Sequence, residues 1–198
     1  MEKNQASKKE EQLSSEKQKK LRRRIHRSES AVKSYQYFLL RLAVFIIVLW
    51  VLLFQVVGIV ICPGADMHPR IDAGDMVLYY RLDKDVKAQD VIVLQKTIGD
   101  LTEPQVLVLR VVAVAGDTVE ITDGERLMIN GNAMIESDIF YPTPRYEGFV
   151  EYPLKLEAGQ CFVLADSRDG GMDSRYFGPV TTDEILGTVI TIVRRNKL

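Results

Sequence analysis

Three stretches of the chain carry the side chains that could do chemistry. "CPGADMHPRIDAGDMVLYY" runs from Cys62 to Tyr80 and centres on Asp66 in a loop flanked by Pro63 and Pro69. "VLVLRVVAVAGD" spans Val106 to Asp117 and sets one cation, Arg110, in an otherwise apolar run closed by Gly116 and Asp117. "LADSRDGGMDSRYFGPV" spans Leu164 to Val180 and gathers Asp166, Asp169, Asp173, Ser174 and Arg175 within ten residues. A carboxylate needs no base to become nucleophilic, since its reference pKa is near 3.9. Attack on an amide would nevertheless give an anhydride, which expels the carboxylate more readily than it expels an amine. The other route open to acids is a pair sharing a proton and activating water, here Asp66 with Asp166, Asp169 or Asp173. There is no C-x-x-C, and His68 is the single histidine after residue 61, so the sequence implies no metal or redox cofactor.

The elements that must position these residues follow from patterning. Leu42 to Ile61, "LAVFIIVLWVLLFQVVGIVI", holds no charge over twenty residues, and at about 1.5 Å per residue spans roughly the 30 Å of a bilayer core. Residues 1–33 hold eleven basic and five acidic side chains, whereas residues 62–198 hold fourteen and twenty-two. That asymmetry reads as a retained single span, with the basic end cytoplasmic and the acidic remainder outside. The division expected is a disordered basic tail over 1–34, an anchor with interfacial flank over 35–61, and an extracellular domain over 62–198. "KQKKLRRRIHR" beside a span implies contact with anionic lipid headgroups and not with nucleic acid.

Past residue 62 the chain reads as mostly β. "MVLYY", "VIVL", "VLVLRVVAV", "QCFVLAD" and "ILGTVITIVRR" are β-branched or aromatic runs too short for helices. "VEITDGERLMINGNAM" predicts hairpins turning at Asp123-Gly124 and Asn130-Gly131, dipeptides that tolerate positive φ. "IESDIFYPTPRYEGFVEYPLKL" is a polar insert with three prolines, expected as a long loop or an irregular second lobe. Its Tyr141, Tyr146, Phe149 and Tyr152 could form a docking surface or a small satellite core. Cys62 and Cys161 could pair outside the membrane, although Cys161 also reads as an inward-facing strand residue.

One span followed by Pro63-x-x-Asp66-Met67-x-Pro69, then Arg110-Val111 with Gly116-Asp117, then Asp166 with Asp173-Ser174-Arg175-x-x-Gly178, resembles the bacterial type I signal peptidases. The resemblance covers Leu42 to the C-terminus. It implies a two-lobed β domain behind one N-terminal transmembrane helix, cutting signal peptides from exported proteins with a serine nucleophile and a lysine base. In that family the serine precedes the first motif's methionine, where this chain has Asp66. The lysine precedes the arginine-valine pair, where this chain has Leu109. The serine that orients the lysine falls on Gly171, and the usual threonine after Pro69 is Arg70. Gly64 falls on the oxyanion-hole position.

Three readings follow. Asp66 in the serine position without a lysine is similar to signal-peptidase-like proteins of Gram-positive bacteria that assist sortase-dependent pilus assembly. That resemblance implies a non-catalytic membrane protein, with no catalytic residue at the degenerate positions Asp66, Leu109 and Gly171, binding pilin subunits or a sortase. The alternatives are an active signal peptidase and a purely structural membrane scaffold. Gly64, Met67, Pro69, Arg110, Gly116, Asp117, Asp166, Asp173, Ser174 and Arg175 are expected to shape or support the cleft.

Overall fold

A computed structural model describes residues 33–99, 102–136, 139, 141–146 and 148–194. The basic leader before Lys33, with its expected disorder and lipid contact, lies outside the described residues. Helix α1, Lys33–Val56, is long and apolar enough to cross a membrane, and its apolar stretch is unburied. Its last turn, Leu52–Val56, widens to π-helical bonding. The boundary between the two compact units falls between Val51 and Leu52.

The domain is built from two antiparallel sheets. Strands β1 (Val57–Ile61), β2 (Met76–Tyr80), β3 (Val91–Lys96), β4 (Gln105–Ala113), β9 (Gln160–Leu164), β10 (Val180–Thr181) and β11 (Ile185–Val193) form the larger sheet. Its order is β1-β2-β11-β3-β4-β9-β10. The smaller sheet joins β5 (Thr118–Ile121), β6 (Leu127–Ile129), β7 (Asn132–Ala133) and β8 (Leu154–Lys155) in the order β7-β6-β5-β8. This is the mostly β, two-lobed domain with a single N-terminal apolar helix that the sequence implies.

β4 connects the lobes because nearly all of it is buried. Leu107, Leu109 and Val111 pack with Ile92, Leu94, Val163 and Ala165, while Val112 and Ala113 pack with Val119, Ile121 and Phe162 under the small sheet. A third cluster, Met67, Ile71, Val77, Tyr79, Val93 and Val108, lies beneath the loop that carries Asp66. Gly58 is required where the Tyr79 ring crosses β1, since a Cβ there would meet the ring at 2.1 Å. On the other face of the β1-β2 pair, Ile59, Ile61 and Met76 are exposed.

The second hairpin turns at Asn130 (φ 53) and Gly131 (φ 78), as the dipeptide predicts. At the first, the positive φ falls on Glu125 (φ 58) and not on Gly124. The Glu125 amide bonds the Thr122 carbonyl and the Thr122 amide bonds the Arg126 carbonyl, so Asp123-Gly124 form a turn and Glu125 restores the strand register. The polar insert contributes only β8 to a sheet; its remaining described residues are irregular.

Candidate functional site

Asp66 is held by its neighbours on both sides. Met67 is fully buried and plugs the cluster containing Ile71, Val77 and Val93, and its carbonyl accepts from the Arg70 and Ile71 amides. The Cys62 amide donates to the Asp75 carbonyl, and the Gly74 amide to the Cys62 carbonyl, which closes the base of the loop. From across the cleft the Ser167 amide donates to the Asp66 carbonyl at 2.8 Å. The loop Ala165 to Asp173 and the Asp66 loop are therefore joined through backbone. The Asp66 carboxyl is half-buried, not freely solvated. Burial first, and the Asp173 carboxylate second, raise its pKa above the ordinary aspartate range. Gly64 stands beside it: a Cβ there would sit 3.1 Å from Asp66 Oδ2.

Behind the Asp66 loop and the loop Ala165 to Asp173, buried charges satisfy one another. Arg110 reaches from β4 and donates through Nε and Nη2 to the two Asp166 oxygens, both at 2.7 Å, while its Nη1 donates to the Gln89 carbonyl. Asp173 caps the short helix α2, Ser174–Phe177, accepting from the Arg175 amide at 3.0 Å. Its carboxylate also takes the Arg175 guanidinium (2.8 Å from Nη2) and the Ala165 amide (3.0 Å). The Val163 amide donates to Ser174 Oγ at 3.0 Å. Asp173, Ser174 and Arg175 are all fully buried, so each depends on these partners.

Leu109 is fully buried in the cluster that contains Ala165. It presents hydrocarbon beneath the cleft loop and no proton acceptor. Gly171 is pressed on the same alanine: a Cβ at 171 would lie 2.2 Å from Ala165 Cβ and 3.2 Å from the Ser167 carbonyl oxygen. The backbone at 171 therefore occupies space that a serine side chain would need. Lys96 sits elsewhere, with Nζ donating to Glu184 at 2.8 Å and to the Pro179 carbonyl at 2.9 Å.

Other residues singled out from the sequence are dispersed. Gly116 and Asp117 make the turn after β4 and tie it to the small sheet. Leu156 exchanges backbone bonds with both, and the Asp117 carboxylate accepts from the Val114 amide and Asn130 Nδ2. Pro69 is exposed, and His68 Nδ1 lies 2.8 Å from Asp72 Oδ1. Cys62 and Cys161 are both free and buried in different clusters, and burial pushes the Cys161 thiol up to about 12. The insert aromatics also separate. Tyr146 lies against the Arg175 guanidinium at 4.5 Å, Phe149 stacks on Tyr176 at 4.3 Å, and Tyr152 meets Phe162 edge-on at 6.4 Å. Among the described residues no group of three or more His, Cys, Asp or Glu is placed to hold a metal ion.

Arg168 is the residue that the sequence reading missed. It is fully buried. Its Nε donates to the Ala165 carbonyl at 2.8 Å, Nη1 to Thr143 Oγ1 at 2.8 Å, and Nη2 to both Glu136 oxygens at 2.7 Å. Arg175 Nη1 adds a bond to the Arg168 carbonyl at 2.8 Å and one to the Pro144 carbonyl at 3.3 Å. Two buried arginines thus fasten the insert to the cleft loop.

Comparison with known proteins places this geometry in context. A family model described as signal peptidase, peptidase S26, matches residues 32–194. A probable thylakoidal processing peptidase 2 of Arabidopsis thaliana is 30% identical over 135 residues, 63% of this chain and 35% of that protein. Signal peptidase I of Pseudomonas fluorescens is 27% identical over 167 residues, 64% of this chain and 58% of that protein. The chain thus spans about a third to three-fifths of the length of these relatives. A crystal structure of a signal peptidase I from Enterococcus faecalis V583 aligns with 54% of this chain and 97% of that one, at 26% identity and a TM-score of 0.44.

These findings correct the expectation of a non-catalytic accessory of sortase-dependent pilus assembly. The relatives are processing peptidases, from a plant plastid and from Pseudomonas, and they point neither to pilin or sortase partners nor to a Gram-positive pilus subgroup. The leaning against an enzyme is corrected with it, because these relatives are peptidases by name.

Proposed function

Because the chain belongs to the signal peptidase S26 family, which its match over residues 32–194 establishes, we propose that it is a membrane-anchored peptidase of the signal peptidase I type. Its substrates are exported proteins bearing signal peptides. Its basic leader lies on the cytoplasmic side and its β domain on the outer side, in keeping with the charge asymmetry about α1. The observation that carries the reading is the half-buried Asp66 carboxyl, raised in pKa, in front of buried charges that are paired with one another.

With Leu109 in place of a base, Asp66 must move the proton itself. Its carboxylate takes a proton from a water molecule as that water's oxygen attacks the scissile carbonyl carbon. The carbon–nitrogen bond then breaks, and the protonated carboxyl returns the proton to the departing amine. A raised pKa suits both halves of that cycle, since the group must accept a proton and then release it. The Asp173 carboxylate, committed to Arg175, holds Asp66 toward the protonated form.

The test is cleavage of a purified preprotein by the full chain in detergent. Wild type should cut at the signal-peptide junction. Asp66→Asn should lower kcat by about 10²–10⁴-fold, the usual worth of a general acid–base group. Activity should fall at low pH along a limb lying above the ordinary aspartate range. Turnover no higher than background, or equal turnover by Asp66→Asn, overturns the proposal.

A further inference from the structure

Against the loop Ala165 to Asp173 lies a cavity of about 410 Å³ whose walls include Arg145, Tyr146, Phe149, Met172 and Tyr176, with Gly170 and Gly171 along one side. Phe149 is 54% exposed and Met172 39% exposed, although both are large apolar side chains. The walls are fixed in place: Phe149 stacks on Tyr176, and Tyr146 lies against the buried Arg175. The glycine side is fixed as well, through the contact of Gly171 with Ala165 and Ser167. Ser167 in turn bonds the Asp66 backbone, so cavity and carboxyl belong to one piece of structure. A preformed apolar recess of this size accepts a large side chain without first having to be ordered.

Charge indicates what carries that side chain. Arg110 is matched by Asp166, Arg168 by Glu136 and Arg175 by Asp173. Arg145, at the cavity, lies over the Tyr152 ring and 3.7 Å from Asp123. Asp66 and Asp169 have no ion-pair partner among the described residues, and Asp169 is exposed next to Gly170. Tyr146 registers this field: burial raises its phenol, Arg175 lowers it, and Asp173, Asp169 and Asp66 each raise it further. Asp169 is the uncompensated carboxylate beside the cavity, and a carboxylate at the rim selects a cationic neighbour.

We infer that this cavity is a subsite for a large aliphatic or aromatic side chain of an extended polypeptide, and that Asp169 draws a basic residue adjacent to that side chain. The inference rests on the peptidase reading for the identity of the chain that enters, and it adds a side-chain preference that this reading lacks. Gly170, exposed at the edge of the cavity, leaves backbone accessible there, as an extended peptide lying along it requires, whereas Gly171 is buried against Ala165.

The experiment uses the full chain in detergent and a peptide series in which one Phe replaces Gly at successive positions about the cleavage site, next to either Lys or Glu. Cleavage gives kcat/KM, and fluorescence anisotropy of labelled peptides gives binding independently of cleavage. One position should favour Phe over Gly by at least about 10-fold, the lower end of what a hydrophobic pocket achieves for a single methylene, and Lys over Glu beside it. The Phe-to-Gly ratio should collapse at least tenfold in the double variant Phe149→Ala, Met172→Ala and persist in Phe149→Leu, which keeps an apolar wall. Asp169→Lys should reverse the Lys-over-Glu preference. Cleavage or binding without a Phe preference, or a preference unchanged in the double variant, refutes the subsite. Selective binding without any cleavage keeps the subsite and refutes the peptidase reading. Neither binding nor cleavage refutes both.

Discussion

Removing Glu136 tests whether the Arg168 clamp holds the two halves of the site together. Arg168 has no exposed side-chain surface and Glu136 has 9%, so solvent screening contributes little. Glu136→Ala leaves the guanidinium in place with its bonds to Thr143 and the Ala165 carbonyl but without its counter-charge. Breaking a buried pair in this way costs about 3–5 kcal/mol. For a domain near 150 residues each kcal/mol shifts the melting temperature by about 2–4 °C, so a fall of roughly 6–20 °C is expected. The transition should be followed by near-UV circular dichroism of the tyrosines, because the only tryptophan, Trp50, belongs to α1 and not to the β domain. The double variant Arg168→Met, Glu136→Leu removes both charges at once and should be more stable than Glu136→Ala. A loss below about 1 kcal/mol in Glu136→Ala, or a double variant no more stable than Glu136→Ala, would refute the claim that this pair is a buried, coupled unit.

Two further outcomes follow from the site. Gly171→Ser should destabilise by about 1–3 kcal/mol through overpacking, and Ala165→Gly should restore much of that loss by removing the atom met at 2.2 Å; denaturant midpoints of the single and double variants measure both. Asp66→Asn should stabilise the domain at neutral pH and make no difference below about pH 4, where the unfolded aspartate is protonated as well. The sign follows from the raised folded pKa, because the native state holds this proton more tightly and loses stability as pH climbs through that pKa. An Asn variant less stable than wild type at pH 7, measured by the same denaturation, would contradict it.

Local chemistry made most of the fold legible. The apolar helix follows from an uncharged run, β2 to β4 from β-branched clusters, and the 130–131 turn from one dipeptide. Glu125 shows where that reasoning stops: an Asp-Gly pair marks a turn, but its loop length decides which residue takes the left-handed conformation. The candidate site was legible where the motif and the contact coincide within a few residues, as in Asp173 capping α2 and pairing with Arg175. It was not legible where partners lie far apart in sequence. Arg168 sits in the same run as Asp166 and Asp173, yet its acceptors, Glu136 and Thr143, come from an insert that carries no regular pattern. Residue identity alone also could not separate a solvated Asp66 from a half-buried one, because that difference is made by Met67 packing inward and Ser167 bonding across the cleft.

Asp66 and Leu109 stand where the resembled family has its serine and its lysine. In the folded domain they act on one another's surroundings. A leucine at 109 adds hydrocarbon beneath Ala165, and the glycine at 171 lets the loop descend onto that alanine. Arg110, Arg168 and Arg175 are each occupied by a carboxylate other than Asp66. No cation is therefore available among these three to hold Asp66 ionised, while burial and Asp173 both favour its proton. The pairing of these buried charges is what leaves this one carboxyl able to exchange a proton at a higher pH than an exposed aspartate would. The same subtraction leaves Asp169 unmatched beside the cavity, so the protonation of Asp66 and the charge preference proposed for the subsite have a common origin in how the three arginines are committed.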